Sequence, residues 1–260
     1  MSIQTNKIIH IDNDTFFGAT TLKNNALPEK NNMALHVCIN PEQVMLNRKR
    51  MANELNMPLE NWALPWQKHT NHSYQVTSKD LGKGAFDKDT SIMNVDAVYT
   101  TESNILIGVF TADCLGILVV DETTPCICAI HSGWKGTTLE ITKKTIQELI
   151  DKHLIHPKTT HVYFSPSIQY DSLEVGMEVV DKMKQISTDT TPFIRYMPNN
   201  KAYIDNQGIN IEMCKELGIP EKNIHPSPYD TKKETETCFS YRNDKQTGEH
   251  FTFGYIKKPN

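Results

Sequence analysis

The chain has little of what a membrane or nucleic-acid protein needs. No apolar run approaches the ~20 residues required to cross a bilayer. The opening MSIQTNKIIHIDNDTFF lacks the basic-then-apolar layout of a secretory signal. There is no surplus of positive charge either: 27 Lys and Arg face 31 Asp and Glu, a formal net charge of −4. That balance argues against nucleic acid or an anionic membrane surface as the main partner. An anionic small molecule would have to be held by local cations. Cysteines number only six in 260 residues. In the cytoplasmic location these features predict, they stay reduced unless they bind metal or react. No low-complexity linker or tandem repeat divides the chain, so residues 1–260 read as one domain.

What is present suits a packed core: 38% hydrophobic residues, with three Trp, nine Tyr and nine Phe. The segment Glu42 to Met57 carries Val44, Leu46, Met51, Leu55 and Met57 near helical spacing and predicts a helix. The short, β-branched runs NILIGVF, LGILVV and CICAI, starting at Asn104, Leu115 and Cys126, predict buried strands. Gly136 to Leu154 predicts one long helix with Leu139, Ile141, Ile146, Leu149 and Ile150 on one side. HVYFSPSI, FIRYMP and EHFTFGYIK predict later strands, and INIEMCKELGI a helix ended by Gly218. Strands interleaved with helices, and a tight hairpin, predict an α/β or α+β fold with mixed sheets.

The hairpin raises the first chemical question. With the turn Asp121 to Pro125 centred between Glu122 and Thr123, Cys114 falls opposite His131 at one rim. Facing side chains there have Cβ atoms roughly 5 Å apart, near enough to share an ion. Thiolate and imidazole suit zinc or copper, and three such ligands with one open position make a catalytic zinc site. His69 and His72, in WQKHTNHS, are the candidate third ligands. A Cys–His nucleophile pair and an inert cysteine beside an ordinary histidine are the competing readings. Cys126 and Cys128 share a strand face and read as packing. Gly133 and Gly136 permit a tight path beside a ligand. A helix start with Lys135 nearby is a natural anion seat.

Several stretches together resemble the laccase-domain family, also described as multicopper polyphenol oxidases and as purine nucleoside phosphorylases. They are DAVYTTESNILIGVFTADCLGILVVDETTPCICAIHSGWKGT from Asp96, WQKHTNHSYQV, MALHV with VMLNRKRM, SPSIQYDSLEVG and CFSYRND. The likeness runs from about Phe17 to the end. Departures from the family pattern are Lys135 for its usual Arg, Leu22 for another Arg, and a missing Gly-Gly pair. Asp171, Ser172 and Asp230 also stand where many members carry cysteines.

The resemblance implies a layered α/β/β/α arrangement with mixed sheets. It also implies one ion held by His69, Cys114 and His131, with zinc as the expected metal, copper as the alternative, and His72 the lesser candidate. The implied activity is phosphorolysis of adenosine, inosine and methylthioadenosine to free base and a ribose or deoxyribose 1-phosphate, with deamination of adenosine. Cys114 and His131 would then serve catalysis as ligands. Asp113 would be an orienting group or acid/base, and Gln67 a hydrogen-bonding partner of substrate or of a ligand histidine. Arg48, Lys135 and Arg242 would form a phosphate seat. Other readings are a copper-dependent phenol oxidase and a non-catalytic, metal-stabilised binding module. Sequence leaves the oligomeric state open.

Overall fold

Alternation along the central hairpin decides the layering. The computed structural model describes residues 2–4 and 6–258, with side chains from residue 6 onward. In the strands Leu115–Asp121 and Cys126–Ser132 every residue is buried. Leu115, Ile117, Val119, Cys126, Cys128 and Ile130 point to one side, against helices, while Leu118, Val120, Ile127 and Ala129 point to the other, against a second sheet. A sheet covered on both faces needs apolar residues at both parities, which is why these runs are continuous.

The hairpin belongs to a six-stranded sheet ordered Ile224–His225, Thr160–Phe164, Leu115–Asp121, Cys126–Ser132, Ala97–Thr100, Ser73–Gln75. The other six-stranded sheet runs Ser2–Gln4, Lys7–Asp12, Phe16–Thr21, His250–Ile256, Leu106–Thr111, Trp62–Ala63. Both are mixed: three edge pairings, including Ser73–Gln75 on Ala97–Thr100, are parallel and the others antiparallel. Between the sheets lie Phe16, Ile107, Val109, Leu118, Val120 and Ile127. Helix α1 (Pro41–Glu54) covers the outer face of one sheet through Met51 and Ala52, against Trp62, Phe251 and Phe253. Beyond the hairpin sheet lie α3 (Ile141–Asp151) and α5 (Asn206–Glu216), through Ile141, Ile146, Leu149 and Cys214. The order is helix, sheet, sheet, helix, as the family resemblance implies. A smaller sheet, Glu174–Gly176, Lys201–Ile204 and Ile194–Met197, packs on α4 (Met177–Met183) and α5 around its own apolar cluster.

Two local expectations are corrected. Gly116, not Cys114, pairs with His131, and Leu115 pairs with Ser132. The hairpin closes at Asp121 opposite Cys126. The Asp121 carboxylate draws the turn together by accepting from Thr123 N at 2.8 Å and Thr123 Oγ1 at 2.6 Å, and Pro125 has no N–H to continue the ladder. The turn is thus centred one residue later than read. Because the offset preserves parity, Cys114 and His131 still share a face.

The expected helix over Gly136 to Leu154 is two helices, α2 (Trp134–Thr138) and α3. Glu140 between them is left-handed at φ 59, and its carboxylate accepts from Ser187 N. Leu139 is exposed and Ile141 is buried, so the two do not share the one apolar side expected of them; residues two apart on a helix do not face the same way.

All six cysteines are free, with Cys126 and Cys128 in the core. No helix among the described residues is long and apolar enough to cross a membrane.

Candidate active site

The site forms where the inter-sheet layer ends. His131 lies near the end of its strand, buried, and Cys114 just precedes the strand that pairs with it. His69 arrives from the loop after Trp66, in a left-handed conformation at φ 57. Donor atoms of His69, Cys114 and His131 all lie within 4.8 Å of one another. The two imidazole rings meet edge to face, centroids 4.8 Å apart. His72 is not in the cluster; it is exposed, with Nδ1 3.1 Å from Asn94 O.

One buried carboxylate arranges this. Asp96 accepts from His131 Nδ1 at 2.8 Å and from the backbone N–H groups of Lys68, His69 and Thr70. It also accepts from Thr70 Oγ1, and its own carbonyl accepts from His131 N at 2.7 Å. It therefore fixes the His69 loop and leaves His131 Nε2 as the nitrogen free for an ion. Asp96 is not among the candidates the sequence singles out; its only signal there is a lone carboxylate directly before the run Ala97–Thr100. Burial alone would raise its pKa, but His131 and Thr70 hold it down at about 2. Burial likewise works against charge on Cys114 and His131. Their mutual contact, with His69 beside the thiol and Asp96 behind the imidazole, reverses it: the thiol is shifted down and the imidazole up.

Space for the sulfur is made by Gly133. Its φ is −75, open to any residue, but a Cβ there would stand 2.5 Å from Cys114 Sγ. Sterics, not backbone freedom, require the glycine.

The cluster floors a cavity of about 590 Å³. Lys135, Arg242 and Lys245 line it as cations, Phe110, Trp134 and Tyr241 as aromatics. Lys135 Nζ lies 5.7 Å from the Trp134 ring centre, and Arg242 Nη1 donates to Glu174 O at 3.1 Å. The helix start beside Lys135 is only the five-residue α2, too short to make the anion seat expected there.

Other proposed residues are committed elsewhere. Arg48 is a correction: it is 2% exposed and does not line the cavity. Its guanidinium donates to Met33 O, Gly84 O and Ala85 O at 2.7–2.8 Å. Gln67 does line the cavity. Its amide, however, both accepts from Phe110 N and donates to Phe110 O, at 2.7 and 2.8 Å. Asp113, at φ 81, accepts from Thr231 Oγ1 and Arg242 N, each at 2.6 Å. It sits beside the cluster as the clasp of the loop that carries Arg242.

The sequence model of the multi-copper polyphenol oxidoreductase laccase family matches residues 21–257. The chain belongs to this family. Among its relatives, a purine nucleoside phosphorylase of Staphylococcus epidermidis is 29% identical over 249 residues, 92% of this chain and 91% of the relative. One from Staphylococcus aureus strain N315 is 30% identical over 224 residues, 85% and 83% of the two chains. The crystal structure of Bacillus licheniformis hypothetical protein YfiH superposes with a TM-score of 0.90 at 25% identity, over 96% of this chain and 99% of its own. That of YlmD from Geobacillus stearothermophilus gives 0.86 at 26%, over 97% and 100%.

This laccase-family chain offers two imidazoles and one thiolate, a donor set that suits zinc or copper. One imidazole is already oriented by a carboxylate, as a ligand histidine usually is. The residues fit a metal.

Proposed function

We propose that this protein is a metal-dependent purine nucleoside phosphorylase, with zinc as its ion and the cytoplasm as its location. Its substrates on this reading are adenosine, inosine and methylthioadenosine, and it also deaminates adenosine. One observation carries the reading: a three-donor cluster, His69, Cys114 and His131, floors a cavity whose wall carries Lys135, Arg242 and Lys245. The names of the staphylococcal relatives support it.

When bound, the ion would supply Lewis acidity, polarising an oxygen or lowering the pKa of water. The chain's own groups do the rest. Lys135 and Arg242 hold phosphate by opposite charge, with Lys245 as a third cation. Lys135 does so as a point charge, without the planar fork of arginine. Phe110, Trp134 and Tyr241 exclude water and face the purine. In phosphorolysis a phosphate oxygen bonds to the anomeric carbon as the bond to the base nitrogen breaks, and the base leaves with its electron pair and takes up a proton. Asp113 holds the Arg242 loop in place for this.

Family membership keeps the phenol oxidase reading in view. Among the described residues, however, there is a single His/Cys/His cluster rather than the histidine-rich groups that copper oxidation uses.

The test is product analysis after incubating metal-loaded protein with adenosine, with and without phosphate. The expected result is inosine in both samples, from deamination, with free adenine and hypoxanthine formed only with phosphate. Inosine in both samples without free base would mean a deaminase, and no product would leave a metal-stabilised binding module. His69→Ala should lose metal and nucleoside turnover together; retention of both would remove the assignment.

A further inference from the structure

Six buried side-chain polar atoms lack a hydrogen-bond partner among the described residues, and three of their owners line this one cavity: Thr111, Asn206 and Glu249. Buried polar atoms are nearly always satisfied, so such a concentration marks where a ligand supplies the missing bonds. All three orphaned atoms accept. Asn206 Nδ2 donates to Ser132 O at 3.2 Å, which fixes Oδ1 as the open atom. Glu249 is the informative member. Its Oε2 lies 3.0 Å from His36 Nε2 without a hydrogen bond. His36 is itself braced by Trp66 and Phe110, with ring centres 5.7 and 5.8 Å away. The other carboxylate lining the cavity, Asp113, has both oxygens engaged.

The cavity thus has two kinds of wall, the cations Lys135, Arg242 and Lys245 and the acceptor Glu249. A carboxylate repels phosphate, so phosphate belongs with the cations and Glu249 takes hydrogen-bond donors. The proposed substrates differ in the donors of their bases: adenine presents an exocyclic amine and hypoxanthine a ring N–H. They differ at the 5′ carbon too, where methylthioadenosine has no hydroxyl. What they share is the vicinal 2′,3′-diol, which one carboxylate can accept from at both hydroxyls.

We propose that Glu249, braced by His36, is the specificity-determining acceptor for the 2′,3′-hydroxyls of the sugar, so that the site selects ribonucleosides over 2′-deoxyribonucleosides. The inference rests on the nucleoside reading above and narrows it, since that reading left deoxyribose admissible.

The experiment is calorimetric titration of the metal-loaded protein with inosine and with 2′-deoxyinosine, in the absence of phosphate. Inosine should bind about tenfold tighter or more, because a site built for a hydroxyl is left with an unpaired group by the analogue that lacks it. In Glu249→Met the gap should shrink to within about threefold, with the larger loss on inosine, a smaller one on 2′-deoxyinosine through its 3′-hydroxyl, and bound metal unchanged. Glu249→Gln, which keeps the shape and one neutral acceptor, should give an intermediate gap and guards against a folding defect in the first variant. Equal affinities in the unaltered protein would overturn the proposal and leave the nucleoside reading standing. A gap that survives Glu249→Met, including one that survives through an equal loss for both ligands, would also overturn it, because the carboxylate would then read a group the two nucleosides share rather than the 2′-hydroxyl. Failure of both nucleosides to bind the unaltered protein would remove the proposal and the nucleoside reading together.

Discussion

Replacing Asp96 by asparagine keeps the size of the side chain and alters only what it accepts. The carboxylate serves five donors besides its backbone contact with His131, and an amide turns one oxygen into a donor. If that NH₂ faces His131, the ring must protonate at Nε2 and loses the lone pair it would give an ion. Asp96→Asn is therefore expected to lower metal affinity about 10- to 100-fold and stability by roughly 1–3 kcal/mol. Competition with a chelator and urea unfolding read the two effects separately. Unchanged metal affinity would mean that the carboxylate is only structural. Arg48 predicts the opposite split. Arg48→Met leaves three backbone carbonyls unpaired and should cost on the order of 3 kcal/mol or more. Phosphate and nucleoside affinity, measured well below the melting temperature, should not move. A tenfold loss of phosphate affinity with intact stability would return Arg48 to the anion seat.

At the scale of elements, the turn and the loops decide what the strands only suggest. Gly133→Ala suits the local backbone but drives a methyl group into Cys114 Sγ. It should reduce metal affinity about tenfold or more while costing about 1–3 kcal/mol of stability, with metal content and thermal melting as the two readouts. Undiminished metal affinity would show that the sulfur has room to move. The same region shows what the sequence could reveal. The apolar runs of the hairpin and the position of Cys114 and His131 at one rim were legible, because buried strands and polar ends differ sharply in composition. The register was not, because Asp121 tightens a turn whose residues alone allow two centres. Nor was the break at Glu140, whose left-handed backbone and contact with Ser187 arise only in the folded chain, with no proline or glycine at that position to mark it. His69 was legible as one of two candidate histidines, and only the family resemblance set it above His72. Its loop has no periodic pattern, and what holds it is Asp96, 27 residues on and joined to it only in the folded chain. The three-residue and two-residue edge strands, such as Ser73–Gln75 and Trp62–Ala63, are too short to carry a periodic signal.

For the whole molecule, the cavity wall and the core are tied by a histidine that takes no part in the proposed chemistry. His250 is fully buried at the start of the closing strand. Its Nδ1 donates to Thr21 O at 2.8 Å, and its Nε2 accepts from Phe239 N at 2.9 Å. Phe239 leads into the segment that carries Tyr241, Arg242 and Lys245 to the cavity. This arrangement is satisfied only by the neutral ring, since a proton on Nε2 would face the Phe239 N–H. Burial lowers the pKa of His250 to about 4, and that of buried His10 to about 3. A group whose pKa is lower folded than unfolded binds more protons in the unfolded chain, so stability rises with pH across that interval. Both contributions are complete above the ordinary value of about 6.5 and are lost as pH falls from there toward 4. At pH 5 the loss should be about 2 kcal/mol for each histidine. Urea unfolding at pH 7.5, 6 and 5 should show this decline, and His250→Gln should flatten about half of it. Before global unfolding, the Arg242 segment should loosen first, because once it opens His250 regains an ordinary pKa and takes up a proton, which favours the open form as pH falls, while the sheets remain apolar. Hydrogen exchange at the Phe239 amide should therefore accelerate, relative to amides of the Leu115–Asp121 strand, as the pH is lowered from 7 to 5. Equal protection of the two across that range would show that the bond from Phe239 N to His250 does not govern opening of the segment.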